Sequence, residues 1–189
     1  MTGTHPVDQL MDEHRVIERV LNALEARLAE AHGAFPAEFV EQALDFFRTF
    51  ADGCHHYKEE QALFPRLKER GVAQEGGPIG CMLHDHEAGR ACLGLIRDHL
   101  EAAKHGSAEA EAAIREQAAK YIELLRPHIL KEDRVLFQMA HRLLTEADTK
   151  ALAAEFNNEN NPKITSALRA RYELLAAELA GEEAGAVGR

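Results

Sequence analysis

The stretch "CHHYKEEQALFP", Cys54 to Pro65, sets two adjacent histidines one helical turn before two adjacent glutamates. Side chains four apart share one face of an α-helix. The stretch therefore holds two pairs, His55 with Glu59 and His56 with Glu60. A broad apolar face runs up to it through Phe39, Val40, Ala43, Leu44, Phe46, Phe47, Phe50 and Ala51. That face centres near Phe47 and Cys54. At about 100° per residue, His55 falls roughly a quarter turn from the centre and His56 nearly opposite it. His55 and Glu59 are accordingly expected in the core. His56 and Glu60 are expected to face water or to support the inner pair.

The same device recurs later as His128 and Glu132. They lie on the seam Ile114, Ala118, Tyr121, Leu125, His128, Glu132, Val135, Met139. Two further seams carry a histidine where an apolar residue would be routine. One reads Val7, Leu10, His14, Ile17, Leu21, Leu24, Leu28. The other reads Ile79, Met82, His86, Gly89, Leu93, Ile96, Leu100, Ala103. Steps of three and four throughout predict four long amphipathic helices. Gly33, "GVAQEGGP" and Gly106-Ser107 separate them, with Ser107 a good N-cap. Pro127 removes one backbone bond inside the fourth helix. Four helices with short loops predict an all-α, up-down-up-down four-helix bundle over residues 1–144. Residues 145–189 form a C-terminal helical extension. Thr145 with Asp148 reads as a capping box. "NNENNP" is a break, and Ile164, Leu168, Tyr172, Leu175 and Leu179 mark a last helix. "GEEAGAVGR", Gly181 to Arg189, is expected to be disordered.

Bulk properties narrow the function. Thirty-two acidic against 22 basic residues give a net charge of −10, which argues against nucleic acid or an anionic membrane as partner. No long apolar run is present, so nothing is expected to span a bilayer, and the start lacks the pattern of a signal peptide. A cytoplasmic location is expected. The three cysteines, Cys54, Cys81 and Cys92, form no CxxC pair and read as reduced structural thiols. Eleven histidines in 189 residues is a high number, and their heights along the helices decide what they are for. His14 stands about 17 residues before the first loop and His55 about 18 after it, a climb of roughly 26 Å each way. His86 and His128 flank their loop in the same way. His14, His55, His86 and His128 should therefore meet at one level, near one end of the core. His5, His32, His99, His105 and His141 fall outside that level. His84 competes with His86 but lies off the seam.

Burying four imidazoles and two carboxylates without a cation is costly. A metal site at His14, His55, Glu59, His86, His128 and Glu132 follows. Six nitrogen and oxygen ligands exceed what one zinc ion needs. Imidazole with carboxylate suits iron or manganese, and zinc stays compatible with the donor set. Two carboxylates can bridge two cations, each keeping two histidines, which gives a dinuclear centre with open positions for small ligands.

These residues resemble the hemerythrin-like family, the HHE cation-binding domains. "LMDEHRVIERVL" (Leu10 to Leu21) resembles the first family motif. "HHYKEEQALFP" (His55 to Pro65), "PIGCMLHDHEAGR" (Pro78 to Arg90) and "HILKEDRVLF" (His128 to Phe137) resemble the other three, and the match covers about Val7 to Leu144. The resemblance places metal ligands at the same six positions. It implies a four-helix bundle with a non-haem centre of two iron ions that meets dioxygen, nitric oxide or hydrogen peroxide. Oxygen-carrying members have a second histidine one turn after the third-helix ligand, where this chain has Arg90. They also end on an aspartate, with one more intervening residue than His128-x-x-x-Glu132. These departures imply a more open, more reactive iron and a poorer reversible carrier. Bacterial members linked to nitrosative stress and iron-centre repair share the set of four histidines and two glutamates. They usually carry a cysteine-bearing N-terminal segment that this sequence lacks, so repair as such is not expected. The leading expectation is a di-iron protein that binds or reduces a small oxidant. The alternative is an iron, oxygen or redox sensor that works without turnover. The extension from Thr145 is expected to cap the open end or to make a homodimer.

Overall fold

The structure, a computed structural model, describes residues 5–30 and 34–182. These residues form six helices, and no strand occurs among them. Helix α1 is Pro6–Ala29, with Pro6 in its first turn and the His5 side chain accepting from the Val7 amide. Helix α2 covers 37–69 and changes winding along its length. It is α-helical over Ala37–Phe46, π-helical over Phe47–His56 and Glu59–Leu63, and α-helical again over Phe64–Glu69. Helix α3 is Pro78–Lys104. Helix α4 covers 108–143, opens on the Ser107 cap, continues through Pro127, and has a π-helical stretch at Glu132–Leu136. Helix α5 is Glu146–Phe156, closed at its start by the Thr145–Asp148 capping box, and helix α6 is Ser166–Leu179. The expected stop at Gly33 lies outside the described residues. So does His32. Of the stretch expected to be disordered only Gly181 and Glu182 are described, and Glu182 accepts from Arg19 at 2.9 Å.

The apolar seams close into two clusters. The larger joins α1, α2, α3, α4 and α6 through residues such as Val20, Phe47, Leu93, Ile114, Tyr121 and Tyr172. The smaller joins Val7, Leu10, Leu63, Phe64, Met82, Phe137, Leu152 and Phe156, from α1 to α5. The histidine level lies between them, with apolar packing on both sides, rather than near one end of the core. Helices α3 and α4 run antiparallel in close contact: His86 lies beside His128, and Gly89 beside Tyr121. A Cβ on Gly89 would sit 3.3 Å from the Tyr121 ring, so glycine lets the two helices approach just one turn from His86. Helix α5 reaches the smaller cluster through Leu152 and Phe156. Helix α6 lies on α1 and α2, and its Tyr172 hydroxyl donates to Asp45 at 2.8 Å.

Candidate metal centre

Helix α1 contributes His14, α2 contributes His55 and Glu59, α3 contributes His86, and α4 contributes His128 and Glu132. Each is at most 1% exposed. One group of potential ligand atoms within mutual reach comprises His14, His55, Glu59 and Glu132; a second comprises His56, His86 and His128. The carboxylates join the two. Glu59 turns one oxygen to His55 Nε2 (3.6 Å) and the other to His86 Nε2 (3.5 Å). Glu132 Oε2 lies 3.2 Å from both His14 Nε2 and His128 Nε2.

The other nitrogen of each ring is held from outside. His14 Nδ1 pairs with Asp133 (2.7 Å), His55 Nδ1 with Glu13 (3.1 Å), His86 Nδ1 with Glu60 (2.7 Å) and His128 Nδ1 with Asp85 (3.4 Å). A ring that donates Nδ1–H to a carboxylate keeps the Nε2 lone pair free for a cation. Each supporting carboxylate is the sequence neighbour of an inner residue, yet it serves a different helix. Glu13 beside His14 on α1 serves α2, Glu60 beside Glu59 on α2 serves α3, Asp85 beside His86 on α3 serves α4, and Asp133 beside Glu132 on α4 serves α1. A cation backs each one: Lys58 on Glu13, Arg90 on Glu60, Lys131 on Asp85 and Arg15 on Asp133.

The inward atoms are a different matter. Nε2 of His14, His55, His86 and His128, and both oxygens of Glu59 and of Glu132, are buried without a hydrogen-bond partner among the described residues. Buried polar groups left without partners are costly. Two carboxylates enclosed together cannot both ionise cheaply. Burial and the Glu132 charge push Glu59 well above the usual carboxylate range. Burial also opposes ionisation of Glu132, but His128 and His14 together outweigh it and hold Glu132 low. Burial and the neighbouring His14 push His55 down to about 4. His128 goes the other way: Glu132 and Asp85 outweigh burial and lift it to about 9. Cations between the residues would satisfy all eight orphaned atoms at once, so this donor set fits a metal centre. Phe137 stacks on His14 at 5.3 Å and Phe64 on His86 at 6.0 Å, so aromatic rings from the smaller cluster floor the site.

Of the two alternatives for His56, facing water falls and packing against the inner set stands. His56 does not face water. It is 5% exposed, and its ring stacks on His86 with centroids 3.8 Å apart. The reason is the π-helical stretch that ends at His56: the wider turn breaks the 100° register used to place it, so adjacent histidines both enter the interior. Glu60, too, supports the inner set, as expected for one of the two alternatives. Arg90 also does more than vacate a ligand position, since its guanidinium donates to Asp52 at 2.8 Å and to Glu60 at 2.7 Å. His84 is exposed. Sequence reasoning passed over Glu13, Asp85, Asp133 and Lys58. Their only signal was adjacency to an inner residue. Cys54 is buried, Cys92 half-buried and Cys81 exposed, all as free thiols.

The hemerythrin HHE cation-binding domain model matches residues 5–140. Two relatives are the uncharacterized proteins Mb2018 of Mycobacterium bovis and Rv1995 of Mycobacterium tuberculosis. Each is 26% identical over 166 residues, covering 87% of this chain and 64% of the relative. The chain thus spans a little under two thirds of the length of these relatives. No solved structure matches. The domain match covers all four helices that carry the histidines and both glutamates, and this chain belongs to the hemerythrin HHE cation-binding domain family.

Proposed function

We propose that His14, His55, Glu59, His86, His128 and Glu132 hold two iron ions inside an up-down-up-down four-helix bundle formed by α1–α4, and that the centre binds or reduces a small oxidant. Residues 145–182 are the covering extension of that unit. The observation that carries the reading is the set of eight buried, partnerless ligand atoms, with each carboxylate set between two imidazoles. The cyclic hand-over of supporting carboxylates from each helix to the next favours the bundle order. Manganese or zinc would find the same donors; the resemblance to hemerythrins favours iron.

When bound, two ferrous ions supply two electrons, the number that takes hydrogen peroxide and two protons to two waters. The protein's own part is spacing, orientation and exclusion of water. Ring nitrogens are fixed by Asp133, Glu13, Glu60 and Asp85. Phe64 and Phe137 keep the floor apolar. The inner residues are at most 1% exposed, which suits a diatomic molecule or peroxide better than a larger substrate. The test is to expose reduced, iron-loaded protein to hydrogen peroxide, dioxygen or nitric oxide with excess electron donor. Oxidant loss beyond one equivalent per centre supports turnover, and no loss contradicts it.

One feature favours a sensor as the second reading. The extension touches the surroundings of His55: Arg169 on α6 lies 3.5 Å from Glu13, and Phe156 on α5 faces the Lys58 ammonium at 5.5 Å. A change at His55 has a route to α5 and α6. Redox-dependent change in hydrodynamic size without turnover would favour this reading.

A further inference from the structure

Three of the four carboxylates that brace the rings are backed by a cation that reaches solvent: Arg90 on Glu60, Lys131 on Asp85 and Arg15 on Asp133. Glu13, which braces His55, is built differently. It is buried and draws two cations. Lys58, equally buried, donates to its Oε1. Arg169 of α6 brings Nε to 3.5 Å from the same oxygen. Oε2 is left to the His55 ring, whose Nδ1 lies 3.1 Å away. One oxygen thus takes the cations while the other holds the imidazole. Nε of Arg169 is buried and makes no hydrogen bond among the described residues. The outer end of its guanidinium reaches Glu173 at 3.6 Å, one turn along α6. Docking α6 does not require such a group. Tyr172, Ala176 and Leu179 supply its apolar face, and an apolar residue in place of Arg169 would spare the cost of taking a guanidinium nitrogen out of water. What Arg169 adds is charge, directed at Glu13. Arg169 also lies outside residues 5–140, the span of the family match, so the extension supplies it to the site.

We propose that Arg169 is a positioning residue for the metal centre: from α6, together with Lys58, it holds Glu13 in the orientation that fixes His55, and its charge raises the reduction potential of the iron bound there. The inference rests on the metal-centre reading above and deepens it. Two effects act in one direction. A carboxylate relieved of a cation accepts more strongly from Nδ1–H of His55, which makes Nε2 a stronger donor to the metal. A positive charge removed from a poorly screened interior favours the more highly charged, oxidised metal. Losing Arg169 therefore stabilises the ferric state on both counts, and keeping it makes the centre easier to reduce. Undocking α6 would withdraw the same charge, so the extension has a direct hold on the potential.

The test compares wild type with Arg169→Met, Arg169→Lys and Arg171→Met, each as the whole chain loaded with iron. Arg171 is an exposed cation of the same helix that lies over the Tyr172 ring, so Arg171→Met removes an equal charge from a place where solvent screens it. Iron per chain, circular dichroism and the midpoint potential in a mediated redox titration are measured on each. Arg169→Met should keep its iron and its helical content, and its midpoint should shift to lower potential. Arg169→Lys should recover most of that shift, and Arg171→Met should match wild type. An Arg169→Met protein with the wild-type midpoint would overturn the inference. So would a shift as large in Arg169→Lys or Arg171→Met, because the effect would then not follow a charge placed at Glu13. If Arg169→Met fails to fold, Arg169→Gln, polar but uncharged, is read by the same outcomes. A wild-type protein that takes up no iron would overturn the metal-centre reading itself, and this inference with it.

Discussion

Glu13 and Lys58 are each 1% exposed and bonded to one another in the interior, next to His55. Burial alone would raise the Glu13 pKa, but Lys58 and His55 outweigh it and hold the carboxyl at about 2. The pair matters because Glu13 fixes the His55 ring at 3.1 Å, so the Lys58 ammonium shapes the centre through Glu13. Removing one member of such a pair strands the other. Lys58→Met should destabilise the metal-free protein by about 3–5 kcal/mol. Adding Glu13→Gln removes the stranded charge, keeps an acceptor for His55, and should recover most of that loss. Urea denaturation of the single and double variants measures both. A double variant no more stable than Lys58→Met would show that the charge pair is not the source of the effect. The three other carboxylates that brace rings follow the same logic at more exposed positions, where screening weakens it.

At the scale of elements, the helices were legible because their seams are long and regular. Steps of three and four through Val7 to Leu24, or Ile79 to Ala103, allow only one face to be buried, and His14 and His86 sit on those faces. The two His-x-x-x-Glu pairs were legible for the same reason. What the periodicity could not convey is a change in winding. Nothing in "FRTFADGCHH" marks it as π-helical, and an assumed α-helix turns His56 outward. Adjacent residues that serve a neighbouring helix, such as Asp85 or Asp133, were equally hidden, because a sequence taken one helix at a time holds no information about which helix lies alongside. The start of α5 was readable in full. Asp148 accepts from the Thr145 amide and hydroxyl at 2.8 and 2.7 Å, and from Arg70 at 2.9 Å. Arg70, then Thr145, pull its pKa well below the ordinary carboxylate value. A depressed folded pKa contributes stability that is complete above the unfolded value of about 3.9 and disappears as pH falls through the folded one. Asp148→Asn should therefore melt lower than wild type at pH 7, with the gap closing as pH drops below about 4. Thermal melts at both pH values check this; a gap that stays constant into acid would mean the carboxylate charge contributes nothing.

Across the whole molecule, the two apolar clusters and the extension serve one purpose for the interior between them. They keep six ionisable side chains out of water, in an arrangement that leaves eight buried polar atoms without a hydrogen-bond partner among the described residues. Leu152, Phe156 and Tyr172 belong to those clusters, so α5 and α6 complete the packing around the site as well as following it in sequence. No helix among the described residues is long and apolar enough to cross a membrane. The central claim is that this interior exists to hold two irons. Elemental analysis of protein purified from iron-replete medium without added metal tests it most directly. The account predicts two irons per chain, with most of the iron lost in Glu132→Ala, which removes the carboxylate set between His14 and His128. A protein that carries one zinc and no iron, or whose iron content is unchanged by Glu132→Ala, would contradict it.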